Sequence, residues 1–350
     1  MRFLHIGVGG FGKCWIKVLK ASAQAEVVGL VDVSDDALRE ACALGDCDPA
    51  LCFNSLEAAL AEVEADALLC STPPAVHEHD VITALRAGLD VISEKPMADT
   101  PAACRAMLEA AAATGRTFMV SQNYRYEPAT WTLAQLVRSG RLGAVGQGKL
   151  DYYMGADFGG FRHEMPYPQL IDMSIHHFDL VRFVTGLDAR RVSGSAWNPP
   201  WSNYRGDCSS TVLFEMDNDA RILYNASWCA KGRFCDWNAN WQLEFERGTV
   251  TYADNEIHIH HVPGRYEVTE TELVPQVGPP LTAQDYVLNE FIRCLRTGTQ
   301  PATAGRDNIR SISMVFAAVE AVRTGRRVDV LDDATRALLD TATADSRTTA

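Results

Sequence analysis

The sequence predicts an α/β domain on a parallel sheet, followed by an α+β domain on a mostly antiparallel sheet. Three observations predict it. Short apolar strand-like runs alternate with helix-like segments through the first third. A glycine-rich turn joins the first strand to the first helix. From Arg190 to Val268, apolar and polar residues alternate between turn signals such as Asp217-Asn218 and Arg247-Gly248. At 350 residues the chain exceeds the size at which one core keeps growing, so two domains are expected. The divisions read 1–122, 123–330 and a polar tail at 331–350, frayed or disordered because it is rich in Ala and Thr.

In order, Phe3–Val8 reads as a strand, Phe11–Ala23 as a helix, Glu26–Val31 as a strand and Asp35–Ala43 as a helix. Ala67–Cys70 is apolar, and Val76–Ala87 is helical and stops at Gly88. Val91–Ser93, the helix Thr100–Ala113 closed by Gly115, and Thr117–Val120 complete the rhythm. The character changes near Asn123: Ala129–Ser139 is helical and leads into Val145–Met154. Two later helices, Gln284–Arg296 and Asn308–Arg323, each end at a glycine, Gly298 and Gly325.

The formal net charge of −13 argues against nucleic acid and against anionic membrane surfaces, both of which call for a positive field. Arg2–Val8 reads directly as a strand rather than as a targeting leader, and no apolar run reaches the ~20 residues of a membrane span. Ten scattered cysteines without a C-x-x-C pair fit a reducing compartment, so the cytoplasm is the expected location. Cys42, Cys47 and Cys52 are evenly spaced, but the spacers are not those of zinc sites and no second ligand pair follows. No metal is expected.

Gly7-Val8-Gly9-Gly10-Phe11-Gly12 follows the first strand and opens the first helix. In that context G-x-G-x-x-G signals a dinucleotide site. Gly7 permits the tight turn, Gly9 lets the backbone approach a pyrophosphate, and Gly12 lets helix and sheet pack closely. The anion then meets the free N–H groups of the helix N-terminus. Asp32 ends the second strand, 20 residues after Gly12. A carboxylate there binds ribose hydroxyls and repels a 2′-phosphate, so NAD is expected over NADP. The alternative is that the glycines only make turns.

Two further segments carry candidate chemistry. Ser93-Glu94-Lys95-Pro96 puts a charged pair at the C-terminal end of a parallel strand, where ligands bind in such sheets; a solvated loop ion pair is the alternative. In Ile171–Asp179, a helix would stack Asp172 and His176 at i and i+4, letting a carboxylate orient an imidazole as general base. An ordinary surface pair is the alternative there. His177 points elsewhere, and Asp179 reads as structural.

The glycine turn, Ser71-Thr72-Pro73-Pro74 with His77, Glu94-Lys95-Pro96, and Asp172-x-x-x-His176-x-x-Asp179 occur in that order. Together they resemble the glucose–fructose oxidoreductase/inositol dehydrogenase (Gfo/Idh/MocA) family. Weaker echoes are Arg125-Tyr126-Glu127-Pro128, Trp237-Asn238 before Trp241, and Gly325-Arg326-Arg327-Val328. The resemblance implies an N-terminal Rossmann domain and a C-terminal α+β domain with a large open, mostly antiparallel mixed sheet. That sheet often mediates assembly, so a homodimer or homotetramer is implied. The resemblance places catalysis on Lys95, Asp172 and His176, and cofactor contacts on Gly7, Gly9, Gly10, Phe11, Gly12, Asp32, Ser71, Thr72, Pro73, His77, Glu94 and Lys95. Substrate positions would include Lys95, Asn123, Tyr124, Asp157, Asp172, His176 and Trp237. Where many members carry consecutive glycines before the Asp, this chain has Pro166-Tyr167-Pro168-Gln169, and Phe161-Arg162 replaces a common Trp-Arg pair. Both departures fall on the substrate side.

The implied activity is an NAD-dependent dehydrogenase acting on a CH–OH group of a sugar, inositol or polyol. His176 would take the hydroxyl proton, Asp172 would orient it, and Lys95 would stabilise developing alkoxide. Two alternatives stand beside it: a redox-neutral enzyme that keeps NAD bound, and a cofactor-binding regulator without catalysis. His258 and His260 share one strand face, read as a partly exposed face rather than a metal site. Trp197, Trp201, Trp228 and Trp241 read as core or interface packing.

Overall fold

The computed structural model describes residues 1–348. It divides into two compact units: Met1–Asn123 with Leu281–Ile309, and Tyr124–Pro280 with Arg310–Ala344. In chain order the first segment carries β1 (Arg2–Ile6), α1 (Gly12–Ala21), β2 (Glu26–Val31), α2 (Asp35–Gly45), β3 (Cys52–Phe53) and α3 (Leu56–Glu62). There follow β4 (Ala67–Cys70), α4 (Pro74–Arg86), β5 (Asp90–Ser93), α5 (Pro101–Thr114) and β6 (Phe118–Val120). Next come α6 (Pro128–Arg138), β7 (Val145–Tyr153), α7 (Ser174–Thr185), β8 (Ala189–Trp197), β9 (Ser209–Met216) and β10 (Arg221–Ser227). The chain continues through β11 (Asn240–Phe245), β12 (Gly248–Ala253), β13 (Glu256–His261) and β14 (Glu270–Val274). It closes with α8 (Ala283–Thr297), α9 (Gly305–Thr324), β15 (Val328–Asp329) and α10 (Asp333–Thr348).

The first unit holds a six-stranded parallel sheet in the order β3-β2-β1-β4-β5-β6. Its strands are apolar on both faces because helices cover both: Phe3, Leu4, Leu68, Leu69, Val91 and Ile92 are fully buried. Each such side chain contributes about 1.5–3 kcal/mol by leaving water. Strand order reverses between β1 and β4, which makes the C-terminal ends of those strands the switch-point crevice where open α/β sheets bind ligands.

The expected boundary at 122–123 accounts for only part of this unit, because Leu281–Ile309 folds with it. Phe291 of α8 meets Phe3 at 6.3 Å between ring centroids, and Gln24 Nε2 donates to Asn289 Oδ1 at 2.9 Å. The Val120 N–H donates to Thr303 O at 3.0 Å. An apolar helix face is satisfied by whichever sheet reaches it, and chain order does not say which.

The second unit holds a nine-stranded mixed sheet in the order β14-β13-β12-β11-β7-β10-β9-β8-β15. Only β7 and β10 pair in parallel, with Leu150 opposite Tyr224; the other pairs are antiparallel. Helix α7 packs on its buried face, where Phe178 meets Phe214 and Tyr224 edge-on at 4.7 and 5.1 Å. The opposite face exposes Tyr153, Trp197, Leu213 and Leu273. Trp228 and Trp241 lie in the core, whereas Trp197 and Trp201 are exposed.

The segment read as a frayed tail is instead helical over Asp333–Thr348. Asp332 Oδ1 accepts the Thr335 N–H at 2.6 Å, an N-cap, and Thr335 and Leu339 bury one face at i and i+4. Residues 349–350 lie outside the described residues. Among the described residues, no helix is long and apolar enough to cross a membrane.

Candidate active site

In the first unit the glycine turn has the geometry the motif requires. Gly7 has φ +83°, and a Cβ there would lie 2.5 Å from Thr72 N. A Cβ on Gly12 would meet Gly7 O at 2.1 Å, so helix and turn could not close. On the other side of the turn, a Cβ on Gly9 would touch nothing nearer than 3.8 Å, and Gly10 faces open space. The turn is closed behind and open in front, which fits a pyrophosphate resting on the first N–H groups of α1. Phe11, the residue preceding α1, is half-exposed.

Asp32 follows β2 and points back at this turn. Its Oδ2 accepts the Gly9 N–H at 3.2 Å and its Oδ1 accepts the Ser34 N–H at 3.0 Å. The neighbouring guanidinium on α2, Arg39, is paired with Asp36. Ser71 Oγ donates to Gly7 O at 2.9 Å, tying the loop after β4 to the turn after β1. Pro73 precedes α4 in extended conformation. These residues fit a dinucleotide.

His77 is fully buried rather than directed outward. Its Nε2 lies 2.8 Å from Thr72 O, and its Nδ1 lies 3.1 Å from both Pro96 O and Met97 O. It therefore holds the Ser71–Pro74 loop to the loop that follows β5. Glu94 is not a solvated loop charge either. It is 8% exposed, and Trp15 Nε1 donates to its Oε1 at 2.8 Å. Burial pushes the Glu94 carboxyl up, opposed by that indole and by Lys95. Lys95, the next residue, is half-buried. Asn123, mostly buried, closes this stretch of the unit.

In the second unit, Gln169–Met173 forms a π-helical turn that runs directly into α7. The expected α-helical i, i+4 stacking of Asp172 and His176 therefore straddles a π-to-α junction, where the wider turn changes the side-chain register. Pro168 stands at the head of this turn. Asp172 Oδ2 accepts from Arg162 Nε at 2.6 Å, and the Arg162 guanidinium lies over the rings of Phe161 and Phe158 at 4.8 and 5.4 Å. His176 is buried to 7% exposure and stacks on Tyr124 at 4.0 Å with 15° between the rings. Burial pushes the Tyr124 hydroxyl well above its usual range, helped by Glu127, Asp172 and Asp236, so it stays protonated.

Asp157 sits on an exposed loop, where His163 Nε2 lies 2.6 Å away and Asn203 Nδ2 donates at 3.2 Å. The His163 contact, then the Asn203 contact, holds its carboxyl below the usual range. Trp237 is 42% exposed and meets Phe158 at 6.1 Å. Sequence reading left Arg162 and Phe158 out of the candidate site. Arg162 appeared only as half of an aromatic–arginine pair, and no local pattern links it to Asp172 ten positions on.

Below this layer the polar side chains are structural. Tyr224 OH accepts from Gln169 Nε2 at 2.7 Å and donates to His177 Nδ1 at 2.7 Å, and His177 Nε2–H donates to Trp237 O at 2.9 Å. That chain fixes one neutral tautomer, and burial lowers His177 to about 4. The unfolded chain takes up its proton near 6.5, so this contribution is complete above pH 6.5 and is lost as pH falls towards 4. Unfolding free energy measured in urea between pH 7 and 4 should drop by roughly 3 kcal/mol on account of this residue. A flat profile across that range would contradict the assignment. Asp179 accepts from Arg125 Nε and Nη2, both at 2.6 Å, and from Ser311 Oγ at 2.7 Å, a buried bidentate pair consistent with its structural reading.

Among the described residues, no group of three or more His, Cys, Asp or Glu side chains is arranged to hold a metal ion. Cys42, Cys47 and Cys52 line a cavity of about 520 Å³ beside α2. His258 and His260 stack at 6.4 Å on the half-buried face of β13.

Residues 1–122 match the model of an oxidoreductase family with an NAD-binding Rossmann fold, and residues 130–268 match the GFO/IDH/MocA C-terminal domain. The chain belongs to the GFO/IDH/MocA oxidoreductase family. Relatives align along nearly the whole length. The protein y4oX of Sinorhizobium fredii is 31% identical over 94% of this chain and 95% of its own. A D-apiose dehydrogenase of Paraburkholderia graminis is 27% identical over 93% of this chain and 88% of its own. The crystal structure of an oxidoreductase from Agrobacterium radiobacter, in complex with NAD+, L-tartaric acid and magnesium, shares the fold. Its TM-score is 0.86 at 20% identity, covering 94% of this chain and 98% of that one. The first unit of this GFO/IDH/MocA protein is accordingly an NAD-binding Rossmann domain.

Proposed function

We propose that the protein is an NAD-dependent dehydrogenase that moves a hydride between nicotinamide and a hydroxyl-bearing carbon of a sugar, inositol or related polyol. One observation carries this reading. A chain of this oxidoreductase family presents a carboxylate and an imidazole, Asp172 and His176, on a buried helical segment, and a lysine, Lys95, just past the end of a parallel strand. Bound NAD supplies the hydride acceptor. His176 takes the proton of the reacting hydroxyl, and Tyr124, stacked on its ring, limits the orientations that ring can adopt. Asp172, held by Arg162, stabilises the imidazolium that forms. Lys95 donates to the reacting oxygen as alkoxide character develops.

A polyhydroxylated substrate agrees with the D-apiose dehydrogenase relative and with the exposed Phe158, Phe161 and Trp237 rings, which suit stacking on a sugar face. In this reading Asn123 and Asp157 add polar contacts to that substrate. Copies of the chain associate through the exposed sheet face around Leu213 and Leu273, and the protein works in the cytoplasm. An initial-rate screen of NAD reduction across sugars, inositols and sugar acids tests the reading: saturable NADH formation is expected with at least one class. Tight NAD binding without reduction by any of them would overturn it.

NAD is the cofactor in this reading, and NADP is disfavoured, because a carboxylate beside the glycine turn, Asp32, would repel a 2′-phosphate. Asp32→Asn keeps the shape and removes the charge. It should weaken NAD binding by about tenfold and strengthen NADP binding, measured by calorimetric titration of both nucleotides. Unchanged selectivity would place the discrimination elsewhere.

A further inference from the structure

We infer that Trp15 and Glu94 form a strut that sets the position of Lys95 from the helix beneath the glycine turn. This inference rests on the role proposed for Lys95. Trp15 lies in the first turn of α1, three residues after Gly12, and is 1% exposed. Its Nε1–H donates to Glu94 Oε1 at 2.8 Å, and Glu94 Oε2 accepts the backbone N–H of Lys95 at 3.1 Å. A carboxylate at the end of a parallel strand could point outward to a ligand. This one points into the protein, and each of its oxygens accepts from a different element.

The components suit a strut. An indole has two side-chain torsions, and this one is locked by packing, so little slack separates α1 from the carboxylate. A charge-assisted hydrogen bond is stronger and shorter than a neutral one and resists stretching. The second oxygen grips the main chain of Lys95, so a shift of α1 is passed to the Lys95 backbone and from there to the ammonium. The pyrophosphate would rest on the N-terminus of the same helix. Cofactor seating and lysine placement are thereby linked, and Glu94 acts as a positioning residue rather than as a direct contact of the nucleotide.

The test uses Trp15→Phe, which keeps an aromatic ring and loses the N–H, and Glu94→Gln, which keeps the shape and loses the charge. With the substrate that the NAD-reduction screen identifies, each should lower kcat by about tenfold to a hundredfold, with KM and the NAD Kd held within about threefold. The double variant should be no worse than either single one, because both cut the same link. Multiplicative losses in the double variant, or NAD affinity falling in step with kcat, would overturn the inference. If none of the screened substrates lets the wild-type protein reduce NAD, the dehydrogenase reading fails by itself. The indole ¹⁵N–H resonance of Trp15, assigned through Trp15→Phe, then still decides on the strut. It should move in Glu94→Gln and again when NAD alone is added to the wild-type chain, and a resonance indifferent to both would end the idea.

Discussion

Replacing Lys95 with alanine is expected to lower turnover by about 10²–10³-fold while NAD affinity stays within about threefold. The asymmetry follows from where the interactions lie. In the proposed reading the nucleotide is anchored by the Gly7–Gly12 turn between β1 and α1 and by Asp32 just after β2, whereas Lys95 follows β5. An ammonium that stabilises developing charge on the reacting oxygen acts in the transition state, so its loss appears in kcat rather than in binding. Single-turnover NADH formation and calorimetric NAD titration, run on the same preparation, separate the two quantities. Equal losses in both would assign Lys95 to cofactor binding.

His176→Gln is expected to reduce kcat/KM by about 10²–10⁴-fold, the loss that follows removal of a positioned general base. Glutamine fills most of the imidazole volume and preserves polarity, so the fold should survive despite the burial of this side chain beside Tyr124. The decisive readout is the pH profile. An imidazole base imposes a dependence of rate on pH between about 5 and 8. The residual activity of the variant should rise with hydroxide concentration alone. A variant that keeps the wild-type profile at reduced amplitude would make His176 a structural residue and move the base elsewhere.

The Rossmann half was legible because its signals are local. The glycine turn, Asp32 at the strand end and the strand–helix alternation each occupy a few consecutive residues and carry their physics with them. The alternation of Arg190–Val268 likewise announced the second sheet, although nothing in it fixed the order β11-β7-β10 or the single parallel pair. What escaped reading was set by distance along the chain. Trp15 and Glu94 are far apart in sequence, as are Arg125 and Asp179, and only the packed structure brings each pair to hydrogen-bonding distance. The return of α8 to the first unit and the helicity of the C-terminal segment failed for a related reason. A modest apolar stripe among Ala and Thr becomes a helix once a cap and a packing surface are supplied, here Asp332 and the buried Leu339. The π-helical turn at Gln169–Met173 left no mark in periodicity, yet it sets the register of Asp172 against His176.

Net oxidation is the claim on which the functional account turns, and stoichiometry tests it. With substrate in large excess and NAD limiting, NADH and oxidised product are to be quantified over the same time course, one by absorbance and the other by mass spectrometry. The account predicts one NADH for each product molecule and a halt when NAD is consumed. Product accumulating far beyond the NAD supplied, with no NADH appearing, would mean that the cofactor is recycled within each turnover and that the protein is not a dehydrogenase.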